Sequence, residues 1–173
     1  TAQTATVKTS ATAKGGQSVT FTYSATENGT FNAAVPSFTN AGTHTVWYKA
    51  EANNHETASG SFTVSIAAKA VTVTVLDKRV YVGAAAPDLT KPEEGKDYTV
   101  EGLLGGDKLT TIPTLTYDPA PKTHRANKDT KIVASAADAG GNYEISYVPG
   151  TLAVVDVPDT GKPLEPHPVN TPA

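Results

Sequence analysis

The stretch GGNYEISYVPGTLAVVDV, Gly140 to Val157, decides how this chain is read. It falls into two short alternating runs hinged at Pro149-Gly150. Tyr143, Ile145 and Tyr147 share one face of the first run, and Leu152 and Val154 resume the pattern after the turn. Two readings compete: a ligand-reading surface with two tyrosines on display, or the closing hairpin of a β-domain. Strict period-two alternation is what a half-buried strand requires, because successive side chains point to opposite faces. The tyrosines are therefore expected to pack inward with their hydroxyls at the rim. Gly150-Thr151-Leu152 then restarts the chain for a final strand.

Working outward, the same period recurs. SVTFTYSA places Val19, Phe21 and Tyr23 on one side. THTVWYKAEA alternates Val46, Tyr48 and Ala50 against Trp47, Lys49 and Glu51. GSFTVSIA sets Phe62, Val64 and Ile66 against serine and threonine, and KAVTVTVLD does the same with Val71, Val73 and Val75. Each run is short, rich in β-branched residues and bounded by Gly, Asn, Pro or Asp. The one candidate for a helical turn, LLGGDKL (Leu103 to Leu109), carries paired glycines and reads as a short loop. The predicted fold class is all-β.

A joint is expected at SIAAKAVTV, where one strand ends at Ile66 and another begins after Ala-Ala-Lys. So tight a connection allows little of the freedom of a Gly/Ser linker. After Val157 the alternation stops, and five prolines in the last sixteen residues predict an extended tail. The organisation read from sequence is thus two tandem small β-domains, residues 1–68 and 69–157, followed by a Pro-rich tail, 158–173. Each domain is Ig-like, that is a β-sandwich, or β-grasp-like; alternation alone does not separate these.

Composition narrows the function. Charged residues make up 18% of the chain, below the roughly 25% of an average soluble domain, and net charge is only -3. Neither disorder nor attraction to nucleic-acid phosphates is indicated. With no cysteine, disulfides and thiolate chemistry are excluded, and no apolar run approaches the roughly 18 residues that span a bilayer. The chain also contains no methionine, so Thr1 is read as the start of a fragment or processed form.

Family resemblance enters on particular residues. Tyr23 to Ile66 resembles the Ig-like repeats of large Firmicutes surface proteins, with Asn40-Ala41-Gly42-Thr43 at the Ala-Gly-Thr turn and Tyr48-Lys49-Ala50 after it. His44 and His55 stand where that pattern carries tyrosine, and both are expected half-buried at strand ends. The second domain resembles MBG-type domains of the YGX kind, found in bacterial adhesin-like proteins. The matching marks are Tyr81-Val82-Gly83, Pro87, Leu89, VEGLLGGDKL (Val100 to Leu109), Gly141-Asn142-Tyr143, Tyr147 and Gly150-Thr151-Leu152. Tyr117 to Asp129 is longer and more charged than the usual connection. These resemblances imply a bacterial extracellular or cell-wall location and a role as spacer or scaffold. They imply no mapped ligand site.

The chemistry-bearing residues are sparse. No Gly-x-Ser-x-Gly elbow is present, and Glu93-Glu94 lies in a Pro/Gly loop where solvation is expected. His44, His55, His124 and His167 form no ligand-spaced pair, so no metal or other cofactor is expected. Asp138 to Glu144 reads as a turn of Asx character rather than a calcium loop. Asn28-Gly29 reads as a hairpin turn before it reads as a glycosylation sequon. VPDTG, Val157 to Gly161, resembles a sortase signal but lacks the apolar span that should follow, and a Pro-rich linker suits it better.

Three contact or crosslink possibilities stay open. Trp47, flanked by Thr45, Lys49 and Glu51, has the makings of a sugar-stacking platform, against the plainer reading of a ring covered by its neighbours. The Tyr117–Asp129 loop is the second candidate surface. An intramolecular isopeptide bond would use Lys69 or Lys78 with Asp156 on the last strand, assisted by Glu101 or Glu144. The leading expectation is a non-enzymatic monomeric spacer of a bacterial surface or secreted protein, partnered by neighbouring domains of its own polypeptide. A module adhering to host glycan or mucin is the alternative, and accessory domains of a secreted glycoside hydrolase the third.

Overall fold

The structure is a computed structural model, and it describes residues 3–4 and 10–158. The Pro-rich tail from residue 159, with His167 and most of VPDTG, lies outside the described residues, as does most of the stretch before residue 10. Twelve strands and no helix are present among the described residues, so the fold is all-β, as the alternation requires. LLGGDKL is an irregular loop with a turn at its glycines.

By contact the chain divides into two compact units. One holds the chain up to Thr72 together with Glu101–Thr111 and Ala137–Ser146. The other holds Val73–Val100, Ile112–Ala136 and the described residues from Tyr147 onward.

In the first unit, β1 (Gln3–Thr4) pairs antiparallel with β3 (Ser37–Phe38). The main sheet is β2 (Thr20–Ser24), β4 (Gly42–Glu51) and β5 (Ala58–Ile66), antiparallel, with β4 in the centre. Its register sets Tyr23 opposite Tyr48 and Val46 opposite Phe62. Tyr23 and Val46 are buried, so the apolar set read from sequence is the inner face. Asn28-Gly29 does lie in a turn that returns the chain, closing with reciprocal backbone bonds between Tyr23 and Asn32 of 2.7 and 2.8 Å.

Two further sheets follow. One has the order β11 (Tyr143–Val148), β6 (Lys69–Val75), β8 (Tyr98–Glu101). The other has the order β7 (Lys78–Tyr81), β12 (Gly150–Val155), β10 (Asn127–Ser135), β9 (Thr114–Asp118). In the second unit the core is Val75, Leu89, Leu115, Ile132, Leu152 and Val154, with Val80, Val82, Ala86, Tyr117 and Ala134 packed against it. Ile132 and Leu152 are fully buried, each contributing about 1.5–3 kcal/mol relative to an exposed side chain. β10, an interior strand, carries a register shift between Asn127 and Thr130, a bulge at the start of the strand.

The opening stretch is corrected here. Its two runs are strands with the expected faces, and Tyr143, Ile145 and Tyr147 are half-buried while Glu144, Ser146 and Val148 are exposed. They are not a hairpin. β11 belongs to the β6 sheet and β12 to the β7 sheet, so the chain changes sheets at Pro149. A two-residue hairpin would leave the partners antiparallel and adjacent, and alternation cannot tell that case from a strand that turns a corner. The same change occurs at Leu76-Asp77, between β6 and β7. The two corners touch: a Cβ on Gly150 would lie 2.9 Å from the carbonyl oxygens of both Val75 and Leu76. Asp77 Oδ1 accepts the Thr151 N–H at 2.7 Å, locking the second corner to the first.

Gly150→Ala should therefore lower unfolding stability by about 1–3 kcal/mol, since the backbone oxygens of Val75 and Leu76 cannot yield as a flexible side chain would. Gly141→Ala, where no atom lies within 4 Å of the added methyl, should be near neutral. Urea denaturation of the two variants checks this; equal midpoints would remove the corner from the account.

Candidate functional site

Alternation along β4 sends Thr45, Trp47 and Lys49 to the face opposite buried Val46. The register sets Trp47 between Ser24 of β2 and Ser61 of β5, and Lys49 between Thr22 and Ser59. Thr43 and Thr45 meet Ser65 and Thr63 in the same way. The outer face is thus a field of small hydroxyls with one indole at its centre. Trp47 is half-buried. Lys49 carries its ammonium 4.3 Å from the centre of the Phe31 ring, a cation–π contact that fixes a neighbouring loop residue over this face.

The charged segment Tyr117–Asp129 is shorter as a loop than as a sequence. Tyr117 and Asp118 end β9, Asn127–Asp129 begin β10, and Lys131 pairs with Asp118 across the hairpin. The connection is 119–126. Asn127 Nδ2 donates to Lys122 O at 2.7 Å and Arg125 O at 2.8 Å, and the Gly83 N–H donates to Thr123 O at 2.8 Å. Gly83 adopts φ +85° in the turn that follows β7. What looks like an insertion is tied down by its own asparagine.

The histidines separate. His44 is half-buried, stacked on Phe38 at 4.3 Å, with Nε2 donating to Asn40 O at 2.8 Å. His55, expected half-buried, is exposed, because it falls in the turn after β4 rather than on the strand. His124 is exposed in the 119–126 connection. No group of three or more His, Asp or Glu side chains is placed to hold a metal among the described residues. Asp138 forms the expected Asx turn, accepting the Gly140 N–H at 3.1 Å and the Thr110 hydroxyl at 2.8 Å. The Thr110 bond, with the Gly140 and Ala139 amides, holds its carboxyl below the ordinary value. Glu93 and Glu94 are exposed, as expected.

The crosslink candidates are redistributed. β7 and β12 are parallel with Lys78 opposite Leu152, so Asp156 lies four residues farther along β12's direction, about 13 Å away at strand rise. Lys78 cannot reach it. Lys69, Glu101, Glu144 and Asp156 are all exposed, which denies them the dry surroundings such chemistry needs. Lys78 instead meets Asp97: Nζ lies 2.6 Å from Oδ1 and donates also to Lys96 O at 2.7 Å. Asp97 Oδ2 accepts the Glu93 N–H at 2.8 Å, and Asp97 O accepts the Leu76 N–H at 2.9 Å. Burial pushes the Asp97 carboxyl up, but the Lys78 and Glu93 hydrogen bonds and the charges of Lys78 and Lys96 outweigh it and hold the group below its ordinary value. Sequence reasoning missed this pair because its members lie on different elements with nothing periodic between them. The only sequence sign was a lysine opening a strand.

Tyr143 carries its hydroxyl to Asp107, donating to Oδ2 while accepting the Leu104 N–H at 3.3 Å. The carboxylate partner raises this phenol above its ordinary value. Beside β9 runs an apolar groove of about 560 Å³, lined by Pro87, Leu89, Pro92, Ile112 and Pro113 among others. Its one carboxylate, Asp88, already accepts the amide and hydroxyl of Thr90. No nucleophile–base pair converges there.

Residues 71–153 match the family model of the MBG domain (YGX type), the stretch that carries the YGX resemblance. The match runs from within β6 to within β12, so this all-β segment is similar to the MBG domain (YGX type). Neither the curated proteins nor the solved structures contain a match to this chain. The Ig-like likeness of residues 23–66 rests on its own sequence pattern.

Lys78→Met should destabilise by about 2–4 kcal/mol, because it strands a buried carboxylate, while Lys78→Met with Asp97→Leu should recover most of the loss. In the parent chain Asp97 is depressed in the folded state. Its contribution is therefore complete above the ordinary carboxylate pKa and lost as pH falls through the folded value. The thermal midpoint should drop on acidification below about pH 4. In the single variant, burial without its partner raises Asp97, and that part of the acid-side drop should disappear. Melting curves across pH on the three proteins check both statements.

Proposed function

We propose that this chain is a pair of non-enzymatic structural domains, 1–68 and 69–157, from a bacterial cell-surface or secreted protein. In this reading they hold an adhesive or catalytic head away from the cell, with neighbouring domains of the same polypeptide as their principal partners. The observation that carries the reading is the match of residues 71–153 to the MBG domain (YGX type). The fold supports it. Polar side chains in the second unit, Asp97 and Lys78 above all, serve to tie loops to strands rather than to face a substrate.

A glycan-contact role has one observation in its favour, the single indole among hydroxyls on the outer face of β2-β4-β5. An array of host glycans and mucins probed with the whole chain separates the two readings. The spacer role expects no reproducible signal above a non-binding control protein. Binding that is abolished by Trp47→Ala, with the melting curve unchanged, would overturn it.

A further inference from the structure

The paired strands at the two ends of the 69–157 segment run in the same direction. β7 and β12 are parallel over four rungs, Lys78 with Leu152, Arg79 with Ala153, Val80 with Val154 and Tyr81 with Val155, and the Val82 N–H extends the ladder to Val155 O at 2.8 Å. β6 and β11 also run the same way: the Lys69 N–H donates to Asn142 O at 2.8 Å, and Thr72 Oγ1 meets Ser146 Oγ at 3.3 Å. The chain thus enters along β6 and β7 and leaves along β11 and β12, side by side. In its own sheet β7 is an edge strand, and among the described residues β12 is its one strand partner.

We propose that the β7–β12 ladder is a force-bearing clamp, loaded in shear when the chain is pulled from its two ends. Tension that reaches Lys78 through the preceding chain pulls β7 toward its N-terminal end. Tension leaving beyond Val155 pulls β12 toward its C-terminal end. For parallel neighbours these directions are opposite along the shared strand axis. The hydrogen bonds then carry load together and must fail together, whereas antiparallel neighbours pulled from one end open one bond at a time. The start of the clamp is braced. Lys78 is held by Asp97 and Lys96 O, Thr151 by Asp77, and Gly150 seats against Val75 and Leu76. The inference rests on the spacer reading and deepens it, giving the second domain the task of transmitting tension without unfolding.

The test is single-molecule pulling of the whole 173-residue chain, which has no cysteine of its own, so pairs of introduced cysteines are unique handles. Ala67→Cys with Val157→Cys loads the ladder in shear. Ala84→Cys with Val157→Cys grips the same end of both strands and peels it. Forced unfolding reports the barrier along the pulled direction, and the clamp requires a higher unfolding force in the first geometry than in the second. Equal forces, or a higher force on peeling, would overturn it. Val82→Pro, which removes the amide bonded to Val155, should lower the shear force toward the peeling value. Leu115→Ala, a core truncation in β9 away from the ladder, should lower the melting temperature and leave the shear force higher than the peeling force. If Leu115→Ala and Val82→Pro lower the shear force equally, resistance comes from the core and the clamp is wrong. The comparison of pulling directions needs no core substitution, so it stands even where Val82→Pro does not fold. Glycan binding dependent on Trp47 would sink the spacer reading and leave the force ranking intact, while equal forces would remove the clamp and leave the spacer reading standing.

Discussion

The contact between two backbone corners governs the 69–157 segment. At Val75-Leu76-Asp77 the chain leaves one sheet for another, and at Pro149-Gly150 it does so again beside the first crossing. The near approach of Gly150 to two carbonyl oxygens is possible only without a side chain. Everything downstream follows from that fit. It places β12 beside β7 with Leu152 opposite Lys78, and it puts Leu152 and Val154 into the core with Val75 and Ile132. Proline at position 149 suits the corner, since it has no amide to donate and holds Val148 extended.

The polar chemistry of the second unit serves the same corner. Asp97 receives Lys78, the Glu93 amide and, through its carbonyl, the Leu76 amide, so one residue fixes the loop before β8 to the start of β7. A partly buried ion pair contributes little net stability against an apolar replacement of the same shape, but a broken one costs much. Its value here is specification. It holds the strand that begins at Lys78 in one register. Nothing in that arrangement requires a reactive group, and the carboxylates at Asp88 and Asp138 are likewise spent on their own turns.

Much of this was legible in sequence and some was not, for a physical reason. Period-two alternation reports which face a side chain takes, and it placed Tyr23, Val46, Val71, Val73, Val75, Leu152 and Val154 inside. It says nothing of which strand lies alongside. The Gly140–Val157 stretch shows the difference: every face was right, and the hairpin was wrong, because the partner of β12 is β7, some seventy residues earlier. The isopeptide pairing of Lys78 with Asp156 failed for the same reason. It assumed that first and last strands bring their charged ends together, and parallel pairing with Leu152 opposite Lys78 separates them. His55 failed through a boundary: the strand ends at Glu51, and a histidine four residues on belongs to the turn. Asp97 gave no periodic signal, since its partners are an amide in its own loop and a lysine on another element.

On the proposed reading the functional side is less legible, because a spacer's demands on sequence are diffuse. A catalytic site concentrates chemistry in a few residues, and its absence from a pattern is easy to see. A load path spreads over backbone bonds that any β-branched residue can make. What distinguishes one path from another is strand direction, and direction is a property of topology. Trp47 illustrates the converse. It is the most conspicuous residue of the outer face of β2-β4-β5, visible at once in sequence, yet its register neighbours are the short hydroxyls of Ser24 and Ser61. A conspicuous side chain on a plain face and an inconspicuous ladder at a corner make different claims on function. In the second unit the hydrogen bonds, the ion pair and the packed glycine converge on the ladder.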